Sequence, residues 1–304
     1  MSTAQLVWRA GAIGEIVLSD AEATSIFQSN AFISDLWEIE EAFRALWRAH
    51  FEFEKRQLIY ALECDRQLDA RLPGHEFLDT PYADLNISAQ TFLSSSRVFE
   101  ERIRKRIPKH KAVGVLEADL NAIFSEKYDN SFSYRLCYAL RNHAMHNSSP
   151  LHGVSLRRKR VQSADYSPKG NSRSKVSFES TTDAEELINN EKINKKFRQE
   201  LRDLLEKTHS FTAASREFLD QIIIIRKEIY ERLHQHLIGS IETQEVYKER
   251  LKLETSTDGN SAQLNFGQKS IYINYVFLQK LDGFLKEFRP VSYTHLRAHE
   301  TRHD

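Results

Sequence analysis

The sequence predicts a mainly α-helical fold, and two observations support this prediction. Helix-breaking residues are scarce, with 10 glycines and 6 prolines among 304 residues, which favours long helices over many short strands. Long stretches also repeat apolar residues at steps of three and four positions, the pattern of an amphipathic helix. We therefore expect a helical bundle of long amphipathic helices with one or two small β-hairpin insertions.

These apolar stripes place the helices along the chain. A loop rich in turn residues is expected at 69–86, and the basic run before Pro108 should end a helix, because proline cannot continue one. The predicted helices cover 21–68, 87–107, 114–127, 130–146, 210–252 and 274–288.

Short alternating or apolar segments predict the strands. Two strands are expected near the N-terminus, at Ala4–Trp8 and Gly14–Leu18. A β-hairpin is expected at about 153–181, because the turn-forming run Tyr166–Asn171 separates two strand-like segments. A smaller hairpin is expected at 262–273.

The predicted domain organisation has three parts. Residues 1–20 form an N-terminal extension, and 21–290 form one helical domain whose core covers about 30–150 together with later helices. The run 291–301 resembles read-through of a sequencing adapter, so the natural sequence is expected to end near Pro290. The histidines of 291–304, at positions 295, 299 and 303, are therefore excluded as metal ligands despite their helical spacing.

Charge and cysteine content restrict the class of protein. The 43 basic and 43 acidic residues give a formal net charge of zero, so nucleic acid could be attracted only by a local patch. The two cysteines, Cys64 and Cys137, are too few for a disulfide framework or a cysteine zinc site. The longest run of aliphatic residues is Ile222–Ile225, far short of a membrane span. We expect a cytoplasmic protein that does not contact a membrane.

The chemistry-bearing residues cluster at the end of the helix predicted at 130–146. Arg141, Asn142 and His146 combine a permanent cation, a polar amide and a side chain that titrates near neutrality. Asn142 and His146 share a helix face at i, i+4 spacing, and Tyr138 extends that face backwards. RNA cleavage without a metal needs a base, an acid and a cation that holds the extra phosphate charge. These residues supply such groups.

Three further features have two interpretations each. His143 lies on the inner side of the helix, where it is either a hydrogen-bonded core histidine or a secondary catalytic group. His152 is either a plain loop residue or able to reach the site. The basic cluster Arg157, Arg158, Lys159 and Arg160 either protects an edge strand from aggregation or binds RNA phosphates.

The run Arg141–His146 resembles the Arg-polar-x(3–5)-His motif of the HEPN superfamily. Its flanks, Tyr138–Leu140 and Asn147–Gly153, look like an uncharacterised bacterial branch with that motif. The resemblance implies a four-helix-type domain, metal-independent endoribonuclease activity and a two-fold dimer that brings two motifs together. It also implies catalytic roles for Arg141 and His146, a supporting role for Asn142, and a toxin or phage-defence function.

Two functional hypotheses follow from the sequence. The first is a metal-independent endoribonuclease that needs no cofactor and no metal. Its expected partners are an RNA substrate, a second copy of the chain, and an antitoxin or defence-system protein. The second is a non-catalytic helical module that binds RNA, a nucleotide or a protein. The endoribonuclease hypothesis favours a dimer, because one Arg and one His provide half of an acid–base site.

Overall fold

The computed structural model describes residues 4–9, 14–68, 79–146, 149–160, 174–204, 207–256, 258–276, 278 and 280. Within these ranges, the backbone but not the side chains is described for 65–68, 145–146, 157–160 and 174–176. The chain separates into two compact units, residues 1–38 with 233–304 and residues 39–232. The predicted tail at 291–304 and most of the helix predicted at 274–288 lie outside the described residues.

The described part of the chain is mainly helical and contains two small antiparallel sheets, which confirms the prediction of a mainly helical fold. Two 3₁₀ turns, Ile107–Lys109 and Lys111–Val113, follow α2. Among the described helices, none combines the length and apolar character that a membrane span requires. The helices are α1 Asp20–Leu68, α2 Asp79–Arg106, α3 Glu117–Asn130, α4 Phe132–His146, α5 Ala184–Ile188, α6 Lys195–Asp203 and α7 Phe211–Thr255.

One predicted boundary is wrong. The loop expected at 69–86 is helical from Asp79 onwards, because α2 begins there. Pro81 lies in the first turn of α2, where proline is tolerated because the amide it lacks would have no intrahelical partner. Pro108, in contrast, follows the end of α2 and lies in a 3₁₀ turn. The same residue type therefore sits inside one helix end and beyond the other.

The unit of residues 1–38 and 233–304 contains a four-stranded sheet in the order β2-β1-β6-β7. The strands predicted near the N-terminus and the hairpin predicted at 262–273 are both confirmed. Strand β1 pairs with β2 and with β6, and Leu6, which is fully buried, lies opposite Ile16 and Leu264. The strands are β1 Ala4–Trp8, β2 Glu15–Leu18, β6 Ser261–Phe266 and β7 Lys269–Asn274.

The unit of residues 39–232 contains helices α2 to α6, the C-terminal part of α1 and the N-terminal part of α7. Its three-stranded sheet has the order β3-β4-β5, formed by Gly153–Arg160, Ser174–Asp183 and Thr208–Ser210. Pairing of β3 with β4 confirms the predicted hairpin, while its tip at 161–173 lies outside the described residues. Helix α4, which carries the motif, belongs to this unit.

Candidate functional site

Helix α4 is fixed at its N-terminus by serine side chains. The Ser131 hydroxyl accepts a hydrogen bond from the Tyr134 main-chain N–H at 3.1 Å, which caps the helix. The hydroxyls of Ser131 and Ser133 donate to the Glu217 carboxylate of α7 at 3.1 and 2.7 Å. The start of α4 is therefore anchored to α7, and its far end carries the predicted site.

Arg141 is buried, with 6% of its surface exposed. Its Nη1 atom donates to Oε2 of Glu100 at 3.1 Å, and its guanidinium lies 4.2 Å from the centre of the Tyr138 ring. Its Nε atom is buried without a hydrogen-bond partner among the described residues. Within one chain, the predicted catalytic cation is thus neutralised by a carboxylate instead of facing solvent.

Asn142 is half-buried and lines a cleft of about 450 Å³ beside the Arg141–Glu100 pair. The cleft is open enough to admit a small ligand, and its walls combine charged, amide and aromatic side chains. Tyr138 lies in the same wall as Asn142, as expected from their spacing on α4. The lining residues are Glu100, Arg104, Phe124, Ser125, Tyr128, Tyr134, Tyr138, Ala139, Asn142, Lys192, Ile193 and Asn194.

Two arginines share the carboxylate of Glu100 at the cleft. Arg104 donates to Oε1 through Nε at 3.1 Å and approaches it through Nη2 at 3.0 Å, while Arg141 takes Oε2. The Arg104 guanidinium also lies 4.4 Å from the centre of the Phe124 ring and donates to Asn121 Oδ1. One carboxylate facing two guanidiniums leaves a net positive charge in this part of the cleft.

Burial favours the neutral form of two tyrosines of the cleft, Tyr128 and Tyr134. Burial raises the pKa of Tyr134 well above its ordinary value, with the nearby Glu100 carboxylate as a second cause. Burial also raises the pKa of Tyr128, whose ring meets that of Tyr138 edge-on at 5.5 Å. Neutral phenol groups both donate and accept hydrogen bonds, and their rings offer flat surfaces to a planar ligand.

Arg135, three positions before Tyr138 on α4, is engaged in structural contacts. It donates to both carboxylate oxygens of Glu200 at 2.9 and 2.8 Å. It also donates to the main-chain carbonyls of Tyr128 and Asp129 at 2.8 and 2.7 Å. This residue ties the end of α3 to α6 and is therefore not a candidate for substrate contact.

Two predicted parts of the site lie outside the described side chains. His146 is the last residue of α4, in the final turn where the helix dipole favours a protonated imidazole, but its side chain is not described. The basic cluster Arg157–Arg160 lies on β3, and its side chains are likewise not described. The catalytic role of His146 and the RNA-binding role of the cluster stay predictions.

His143, predicted on the inner side of α4, is not among the residues that line the cleft. It is buried, with 2% of its surface exposed, and its Nδ1 atom accepts from the Asn190 amide at 3.1 Å. The amide orientation follows from Oδ1 of Asn190, which accepts from the Lys192 main-chain N–H at 3.1 Å. Burial lowers the pKa of His143, and the neighbouring His152 lowers it further.

His152 lies beside His143, with ring centres 5.7 Å apart in an edge-on arrangement. Its Nδ1 atom lies 3.0 Å from Thr182 Oγ1 and accepts from the Asp183 main-chain N–H at 3.1 Å. Its Nε2 atom is buried without a hydrogen-bond partner among the described residues. Burial lowers its pKa, although the carboxylates of Glu186 and Asp183 oppose the shift.

The structure thus divides the predicted site into two environments. Arg141, Asn142 and Tyr138 lie at the cleft, whereas His143 and His152 form a separate pair. Sequence reasoning missed most of the cleft wall, including Glu100, Arg104 and Lys192. The i, i+4 spacing of Glu100 and Arg104 indicated a helix-surface ion pair, but no local signal linked Glu100 to Arg141, 41 residues away.

Comparison with known proteins adds no relative: no family model matches the chain, and neither a curated protein nor a solved structure shows significant similarity to it.

Proposed function

We propose that this chain is a metal-independent endoribonuclease of the HEPN type, acting in toxin or phage-defence biology, with its RNA bound in the cleft beside Arg141–His146. The observation that carries the proposal is the cleft itself, because Asn142 of the motif lines it together with cationic and aromatic side chains. Base stacking on aromatic rings and phosphate contacts from cations are the two main means of holding single-stranded RNA.

The proposed reaction is transesterification within the RNA. The ribose 2′-oxygen attacks phosphorus and loses its proton to a base, while the bond to the 5′-oxygen breaks and that oxygen takes a proton from an acid. The products are a 2′,3′-cyclic phosphate and a 5′-hydroxyl. We assign proton transfer to His146, whose residue type titrates near neutral pH. A second copy of the chain would provide the second histidine across a two-fold axis.

Burial changes the role proposed for Arg141. Because the Arg141 side chain is 7% exposed and that of Arg104 is 30% exposed and lines the cleft, direct phosphate contact is assigned to Arg104, Lys192 and the Asn142 amide at the cleft. Arg141 is then a positioning residue that orients Glu100 and supports the Tyr138 ring. The basic cluster at 157–160 is proposed to extend the RNA-binding surface beyond the cleft.

The experiment measures cleavage of RNA by the purified chain in EDTA, with product ends identified by their chemistry. We expect 2′,3′-cyclic phosphate ends and a loss of about 100-fold or more in rate for His146→Ala, the size typical of a lost acid–base group. The matched control is His234→Ala, an exposed histidine of α7, which should cleave at the normal rate. A requirement for a divalent metal, or full activity of His146→Ala, would overturn the proposal.

The second candidate is a module that binds a nucleotide or RNA without cleaving it. The observation in its favour is the burial of Arg141 and its pairing with Glu100, since a neutralised guanidinium stabilises added phosphate charge poorly. In that case, RNA binding followed by tyrosine fluorescence should persist in His146→Ala and weaken in Arg104→Gln. No cleavage should be detected for any variant.

A further inference from the structure

We propose that His143, His152 and Glu186 form a binding site for one divalent transition-metal ion, for which Zn²⁺ is the best fit. These residues offer one ligand atom each, and the three atoms lie within 4.8 Å of one another. In the described part of the chain, this is the one group of histidine, cysteine and acidic residues close enough to hold a metal. The inference does not depend on the proposed ribonuclease activity.

The ligand chemistry fits a borderline metal ion. Two imidazole nitrogens and one carboxylate oxygen are a common protein set for Zn²⁺, with one position left for water. Ligand atoms around tetrahedral Zn²⁺ lie about 3.4 Å apart, given metal–ligand distances of about 2.1 Å. The group must therefore contract slightly, which the exposed side chain of Glu186 on the short helix α5 allows. Magnesium and calcium are disfavoured, because they prefer oxygen ligands.

The environment of the two histidines points to a ligand. The Nε2 atom of His152 is buried without a hydrogen-bond partner in the described structure, and such a polar atom usually has a functional reason. His143 is almost fully buried, and its ring lies beside that of His152.

Metal binding at Nε2 of His152 requires a proton to move within the ring. In the metal-free chain the Asp183 main-chain N–H donates to Nδ1, so the neutral ring carries its proton on Nε2. When the metal takes the Nε2 lone pair, that proton must pass to Nδ1, where Thr182 Oγ1 at 3.0 Å accepts it. The ring gains and loses no proton overall, but the hydrogen bond from Asp183 is lost. We therefore expect a moderate affinity, weaker than that of structural zinc sites.

The groups that contact the second ring nitrogen of each histidine also bear on the proposed metal site. Metal-binding histidines usually have their other nitrogen held by a protein group, which fixes the ring. Here Thr182 Oγ1 is placed to accept from Nδ1–H of metal-bound His152. The Asn190 amide donates to Nδ1 of His143 in the metal-free chain, so a metal at Nε2 of His143 likewise requires the ring proton to move to Nδ1 and the hydrogen bond from Asn190 to break. The three proposed ligands come from the end of α4, the segment before β3 and α5. Metal binding should therefore stabilise the contact between these three elements.

The experiment titrates metal-stripped full-length protein with Zn²⁺ by calorimetry and with Co²⁺ by visible absorption. All samples carry His295→Ala, His299→Ala and His303→Ala, because the helical spacing of those tail histidines could itself bind metal. We expect one equivalent of metal to bind, intense d–d bands of a four-coordinate Co²⁺ site, and a rise in melting temperature with added Zn²⁺.

The decisive variant is Glu186→Gln, because an exposed side chain can be replaced without disturbing the fold. It should weaken Zn²⁺ binding by about tenfold or more, whereas the adjacent control Glu185→Gln, also exposed, should bind normally. Thr182→Val should weaken Zn²⁺ binding by about tenfold, the size typical when the group that holds a metal-binding histidine is removed. Absence of binding, or equal affinity in Glu186→Gln and Glu185→Gln, would overturn the site. Neither result would bear on cleavage of RNA in EDTA.

Discussion

Two buried arginine–glutamate pairs in the unit of residues 39–232 differ in how completely each guanidinium is used. Arg226 donates through Nε and Nη2 to the two oxygens of Glu40, both at 2.7 Å. Arg141 makes a single 3.1 Å bond to Glu100 and leaves Nε without a partner among the described residues. The first pair has the parallel two-bond geometry that gives Arg–carboxylate contacts their strength; the second does not.

The surroundings of the two pairs also differ, because Glu40 is buried in a packed core and Glu100 lines the cleft. The Arg226 guanidinium lies 4.4 Å from the centre of the Phe43 ring, and the Glu40 side chain is 1% exposed. The Glu100 carboxylate serves two arginines and lines the cleft. A satisfied pair in a packed core is explained by the fold alone. The Arg141–Glu100 pair is less completely hydrogen-bonded, and its carboxylate lines the cleft together with Arg104, so a ligand in the cleft would meet Glu100 and Arg104 and not the buried Nε of Arg141.

The largest expected effect is the loss of stability when the Arg226–Glu40 pair is broken. Glu40→Gln removes the charge that compensates buried Arg226, and breaking a buried pair in this way costs about 3–5 kcal/mol in the free energy of unfolding. Denaturant unfolding measures the loss. The control is Glu231→Gln, whose carboxylate is 64% exposed and 3.8 Å from Lys227, where a surface pair contributes about 0–1 kcal/mol. Equal losses in the two variants would contradict the structural role of the Arg226–Glu40 pair.

Glu100→Gln should destabilise the protein less than Glu40→Gln. One amide oxygen still accepts from an arginine, so we expect a loss of about 1–3 kcal/mol. The substitution also removes a negative charge from the cleft, and RNA or phosphate binding should tighten by roughly severalfold. Unfolding and fluorescence titration measure the two effects. A loss as large as that of Glu40→Gln, with unchanged RNA affinity, would remove the distinction between the pairs.

The sequence predicts helices but not the arginine–glutamate pairs between them, because each pair joins residues that are far apart in the sequence. The helices that carry them follow from local apolar periodicity, which fixed α1 and α7 to within a few residues. Hydrogen bonds from Arg226 to Glu40 and from Arg141 to Glu100 join residues 186 and 41 positions apart. Local spacing cannot encode such pairing, because it depends on how the helices pack.

Local sequence patterns likewise predict those parts of the sheets and the site that depend on neighbouring residues, and not those that depend on distant contacts. Hairpin β3–β4 follows from alternation and turn residues, and it was predicted. Pairing of β1 with β6, with Leu6 opposite Leu264, depends on contacts between the two ends of the chain and was not. At the site, the shared face of Tyr138 and Asn142 follows from helix geometry. The opposing wall with Arg104 and Lys192 required the tertiary structure.

Arginine-to-lysine substitutions separate the pairs by function. Lysine keeps the charge but loses the planar fork that stacks on aromatic rings. Arg141→Lys should withdraw support from Tyr138 and lower the proposed cleavage rate by about tenfold, or about 1.4 kcal/mol in activation free energy. Arg226→Lys should lower stability and leave cleavage unchanged. The test compares the cleavage rates of the two variants at a temperature where both are folded. Equal losses of rate would assign Arg141 a purely structural role.

The smallest expected effect concerns the buried histidine His50, whose burial makes the stability of the fold depend on pH. His50 packs 5.0 Å from the Phe92 ring, and its Nε2 atom lies 3.8 Å from Glu54 and 3.4 Å from Ser215 Oγ. Burial lowers its pKa below the ordinary 6.5; Glu54 opposes this shift, and the Arg216 guanidinium adds to it. The folded state therefore binds the proton less tightly than the unfolded chain.

The sign of the pH dependence follows from this difference. The stability due to neutral His50 is fully present above its ordinary pKa of 6.5 and is lost as the pH falls towards the lowered folded pKa. Unfolding free energies at about pH 7.5, 6.5 and 5.5 bracket this window. His50→Gln should lose less stability on acidification than the unmodified chain, since glutamine does not titrate. Identical pH profiles would show that protonation of His50 does not couple to folding.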